Sequence, residues 1–132
     1  MLELLRTPYT VSALLLGTGV VRLERTSEPI PSGPVMQRDL GRQATRLKEL
    51  DRPRYGLLLD LRNAPPNDSS EIEAASVRGL GRVVEGFARV AVIIRTSTGR
   101  LQVGRLSSAN GAGVSIFDRE SEAMAFLADR PR

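Results

Sequence analysis

Three groups of residues in this chain have the types and spacing to do chemistry. Asp68-Ser69-Ser70-Glu71 stands just before a stretch whose apolar residues recur at helical spacing. Side-chain oxygens at a helix start accept hydrogen bonds from the orphan amides of its first turn, and Asp68 with Glu71, or Ser70 with Glu73, makes such a capping pair. A phosphate on Ser69 or Ser70 would place about two negative charges at the positive end of the helix dipole, so a cap here could also be a switch. Arg95-Thr96-Ser97-Thr98-Gly99-Arg100 joins an apolar run to a second helix-like stretch. Free amides there could hold an anion, with Arg100 as counter-charge, or Ser97 or Thr98 could simply cap the helix. It is not a Walker loop, because the lysine and the glycine spacing are absent. Arg38, Arg42 and Arg46, each four residues from the next, share one helix face. That face is either solvated or a docking surface, since arginine reads carboxylates and phosphates in bidentate geometry.

Other chemistry is excluded by residue type. The 132 residues contain no histidine and no cysteine, which removes Ser-His and Cys-His nucleophile pairs, thiolate chemistry and the usual zinc ligands. Asp60 and Thr96 end two apolar runs, as the phosphoacceptor and hydroxyl residues of response-regulator receivers do. Such a site also needs an acidic pair after the first strand and a lysine after the fifth. The acidic pair is missing, and the sole lysine, Lys48, lies in the first helical stretch. Asp60 is better read as a cap for the following loop or a partner of Arg62. No two carboxylates are placed for acid–base work, so the reading is against an enzyme, with no metal and no cofactor.

The charge balance is mildly basic, 19 cations against 15 acids for a net +4, with no basic tail and no run of like charge. The aromatics Tyr9, Tyr55, Phe87, Phe117 and Phe126 are scattered, which argues against nucleic-acid binding. No stretch approaches the ~18–20 apolar residues of a membrane span. Val11 to Leu16 is short, is followed by Gly17-Thr18-Gly19 and lacks the basic start of a signal peptide. The absence of cysteine fits the same cytoplasmic expectation.

These residues must be positioned by alternating strands and helices. Tyr9 to Leu16 and Val20 to Arg25 read as a hairpin around the Gly-Thr-Gly turn. Thr26 to Pro34, with three prolines, is a loop. A helix over 35–50 carries Met36, Leu40, Ala44 and Leu47 inward, opposite the arginine stripe. Gly56 to Leu61 and Arg89 to Arg95 are continuous apolar runs, as strands covered on both faces require. Between them lie the Arg62–Ser70 loop and a helix over 71–85, weakened by Gly79 and Gly81. A helix over 98–110, closed by Gly111, a strand Val114–Phe117 and a helix from 119 begun by Asp118 complete the order β-β-α-β-α-β-α-β-α. The expectation is one α/β domain over 1–132. Its sheet has about five strands, mostly parallel, with an antiparallel N-terminal hairpin and about four helices.

This order, with a strand–loop–helix unit centred on Leu58-Leu59-Asp60-Leu61, resembles the STAS fold of the bacterial anti-sigma-factor antagonists. In that family an Asp-Ser-Ser-Gly or Asp-Ser-Thr-Gly motif opens the helix after the third strand, and a partner kinase phosphorylates the serine following the aspartate. Asp68-Ser69-Ser70 falls eight residues beyond Asp60, about where the motif would, with Glu71 in place of the glycine. The resemblance implies a bacterial signalling or regulatory domain that binds another protein through the loop and helix start at 62–71. Asp68 and Arg62 would be contacts there. The expected partner is a kinase-like or other regulatory protein rather than nucleic acid or membrane, and a homodimer is compatible with the reading. The alternative is a small-ligand or anion-binding domain using the 95–100 turn.

Overall fold

The computed structural model describes residues 1–66, 69–95 and 114–128. Its centre is set by the two apolar runs. Gly56–Asp60 (β4) is buried at every position, and Arg89–Ile93 (β5) at every position after the first. They pair in parallel, Leu57 beside Val90 and Leu59 beside Val92. Val20–Arg25 (β3) lies parallel to β4 on one side, and Val114–Phe117 (β6) parallel to β5 on the other. Both runs therefore sit inside the sheet, where strands must be apolar on two faces.

Two more strands extend the sheet. Thr10–Leu15 (β2) pairs antiparallel with β3, turning through Gly17 (φ +80°) and Gly19 (φ +69°), which hold a backbone conformation that side chains disfavour. Leu2–Arg6 (β1) then pairs antiparallel with β2. The sheet thus has six strands in the order β1-β2-β3-β4-β5-β6, not the five expected. Residues 2–6 carry leucines at 2, 4 and 5 without alternation, so only the waiting edge of β2 makes them a strand. The register shift between Glu3 and Leu5 is consistent with that imperfect pattern.

Gly33–Leu47 (α1), Ser70–Val84 (α2) and Glu120–Ala128 (α3) are the helices among the described residues, with one 3-10 turn at Arg52–Arg54. The fourth expected helix, over 98–110, lies outside the described residues. Ser32 caps α1 by accepting the Val35 amide at 3.3 Å, and Pro34 sits in its first turn, where a missing N–H costs nothing.

Strand alternation divides the core. Val21, Leu23, Leu57, Leu59, Val90 and Val92 face α1 and α2, where Met36, Leu40, Leu47 and Val83 are buried and Ile72 and Leu80 pack half-buried at the rim. Val20, Leu58, Ala91 and Ile93 face α3, through Ala123 and Leu127. Close approach depends on two glycines. A Cβ at Gly79 would stand 2.7 Å from the Leu40 Cβ, so α1 and α2 touch through it. A Cβ at Gly56 would stand 3.0 Å from Leu127, which seats α3 on β4. The glycine that weakens α2 as a sequence is what lets it pack. Among the described residues no helix is long and apolar enough to cross a membrane.

Candidate functional site

With Met36, Leu40, Gln43, Ala44 and Leu47 turned inward, α1 presents Arg38, Gly41, Arg42 and Thr45 outward. Together with Leu5 of β1 and Arg82 of α2, these residues line an open groove of about 530 Å³. Arg82 reaches across from its own helix, its Nη1 lying 3.3 Å from where a Gly41 Cβ would stand. Thr45 donates its hydroxyl to the Gly41 carbonyl at 3.0 Å, back along its own helix.

The three arginines of the stripe are not equivalent. Arg46 is half-buried, donates from Nε to the Leu4 carbonyl at 3.2 Å and pairs with Glu49 at 2.5 Å. Arg38 and Arg42 are exposed, and among the described residues neither has an acidic partner; the same holds for Arg82. The free cations of the groove are therefore Arg38, Arg42 and Arg82. Arg82 was invisible to spacing, because nothing along the chain says that α2 will lie against Gly41.

Buried polar contacts hold α1 in place behind this face. Thr10 donates its hydroxyl to Asp39 at 2.7 Å, and Gln43 Nε2 donates to Thr10 Oγ1 at 2.9 Å and to the Leu5 carbonyl at 3.3 Å. Gln43 is fully buried, and its Oε1 has no protein donor. Turning the amide over would face that oxygen toward the Leu5 carbonyl, so the orientation is set by its acceptors.

A second charged cluster lies at the C-terminal end of β4. Asp60 is 1% exposed. It accepts from Arg62 through Nε at 3.0 Å, Nη2 at 2.9 Å and the backbone amide at 3.2 Å. Arg22 binds both Asp60 and Glu120, tying α3 to the sheet, while its own Nε is buried without a partner. Burial pushes the Asp60 carboxyl upward, but the Arg62 hydrogen bonds and the charges of Arg22 and Arg62 outweigh it and hold the group below its ordinary value. Arg62 is thus committed to Asp60, as the sequence allowed, and is not a free counter-charge for the serine pair.

At the start of α2 the cap is Ser69, whose Oγ accepts the Ile72 amide at 3.2 Å. This puts Ser69, not Ser70 of the expected Ser70–Glu73 pair, at the cap position, while the expected Asp68–Glu71 pair involves a residue outside the described ones. The helix begins at Ser70, so Ser69 holds the one position whose side chain points back along the first amides. Ser70 itself is exposed. Asp68, Thr96, Ser97, Thr98 and Arg100 lie outside the described residues. Among the described residues no group of three acidic side chains converges as a metal-binding set. Compared with protein-family models, curated proteins and solved structures, the chain matches none.

Proposed function

We propose that the protein is a non-catalytic interaction module of STAS type that docks an acidic protein partner on the outer face of α1. The observation that carries this reading is the groove in which Arg38, Arg42 and Arg82, drawn from two helices, have no acidic partner among the described residues. Like charges four residues apart on a helix repel each other, and an incoming carboxylate turns that repulsion into attraction. Each guanidinium can then take a carboxylate in bidentate geometry. Support for the STAS-type reading comes from the opening hairpin, the parallel strands that follow it in chain order, and Ser69 at the head of the helix after β4. Regulation at 62–71 belongs to the same proposal. A phosphoryl group on Ser69 would compete for the amides that its hydroxyl now caps.

The test is capture from an extract of the source cells on immobilised wild-type protein and on an Arg38→Gln/Arg42→Gln/Arg82→Gln variant. The wild type should retain a stoichiometric partner at low salt and release it at high salt, because exposed ion pairs are screened. The variant, with an unchanged melting temperature, should retain none of it. Equal capture by both proteins would overturn the docking reading.

A further inference from the structure

We infer that the occupant of the groove is an acidic amphipathic helix of another protein, laid along α1 with carboxylates four residues apart. This rests on the docking reading above and narrows it. Arg38, Arg42 and Arg46 form one row of a straight helix, a step of about 6 Å between neighbours and about 12 Å end to end. Arg82 adds a cation beside the middle of that row, at Gly41. Carboxylates at i and i+4 of a second helix repeat at the step between the free Arg38 and Arg42, and one at i+8 would reach Arg46, where it shares that guanidinium with Glu49.

The surface itself selects a helix over other acidic chains. A helix face offers no backbone donors or acceptors, so an extended peptide lying on it would leave its amides and carbonyls to water. A helical partner brings those bonds already made. Next to the cations, Leu5 supplies an apolar contact at the edge of the groove. That combination suits a helix with an acidic row and an adjacent apolar residue. No aromatic side chain lines the groove, so it has no platform on which bases could stack. A second copy of this chain does not fit either. Among the described helices, the acids of α2 (Glu71, Glu73) and α3 (Glu120, Glu122) are two residues apart and project from different sides.

Two synthetic alanine-rich helical peptides of identical composition test the inference. One carries glutamates at i, i+4 and i+8, and the other spreads them around the helix. Binding is read by fluorescence anisotropy at low salt, against the wild type and an Arg38→Gln/Arg42→Gln variant. The phased peptide should bind the wild type about tenfold more tightly than its isomer, and the variant should lose that difference. Equal affinity for the two peptides would overturn the helical occupant and leave acidic docking standing. So would failure of both peptides while arginine-dependent capture from extract persists. A phased peptide held equally well by the variant would overturn both readings. Tighter binding of a single-stranded oligonucleotide than of either peptide would overturn the inference in favour of a nucleic acid.

Discussion

Arg62 donates to both carboxylate oxygens of Asp60, two residues before it, from Nε at 3.0 Å and Nη2 at 2.9 Å, and its backbone amide donates to the same group. One aspartate therefore turns the chain out of β4 and fixes the first residues of the 61–66 loop. Because Arg22 and Glu120 join the same cluster, the loop, the sheet and α3 share one electrostatic anchor.

Replacing Asp60 by Asn should cost about 2–3 kcal/mol in urea denaturation. Removing one partner of a buried ion pair leaves the other charges uncompensated, and the partial exposure of both arginines keeps the loss below that of a fully buried pair. The same variant has a pH signature. The folded carboxyl sits below its ordinary value of 3.8. Its stabilisation is therefore complete above that value and lost as pH falls through the lower folded value. Wild type should lose stability over that acid window, and Asp60→Asn should lack this part of the slope.

Gly79 and Gly41 should respond to alanine with opposite signs. At Gly79 the new methyl meets the Leu40 Cβ, which cannot swing away, so Gly79→Ala should destabilise by about 1–3 kcal/mol. At Gly41 it meets only the mobile end of Arg82, so Gly41→Ala should stabilise by about 0.5–1 kcal/mol through helix propensity. Thermal melts of the two variants check this. Destabilisation by both would mean that Arg82 is held rigidly over Gly41.

Arg46 and Arg38 should separate in the same kind of measurement. Arg46→Ala breaks the bond to the Leu4 carbonyl and the pair with Glu49, for a loss of about 1 kcal/mol. Arg38→Ala should stay within ~0.5 kcal/mol, as exposed substitutions do. Equal costs would show that Arg38 also has a structural partner.

Ser69→Ala should cost about 1 kcal/mol through the lost cap, while Ser69→Asp should keep most of that stability and Ser70→Ala should change little. Chemical denaturation of the three variants identifies the capping serine. A larger loss at Ser70 than at Ser69 would move the helix start.

Much of the sheet was legible because its cause is local. Leu57-Leu58-Leu59 and Val90-Ala91-Val92-Ile93 are apolar without alternation, and only cover on both faces suits such runs. Met36, Leu40, Ala44 and Leu47 likewise announce the inner face of α1, and with it the outward row of arginines. What stayed hidden depended on segments far apart in the chain. Residues 2–6 become a strand through the edge of β2, and Gly79 is a packing requirement only where Leu40 meets it. Spacing placed Arg38, Arg42 and Arg46 alike, but the Leu4 carbonyl, 42 residues from Arg46, ties down one of them and leaves two free. Arg82 joins those two because α2 packs against α1. Periodicity sets which way a side chain points, since that is geometry within a few residues. Whether a charge finds a partner depends on which distant atoms the folded chain brings within reach of it.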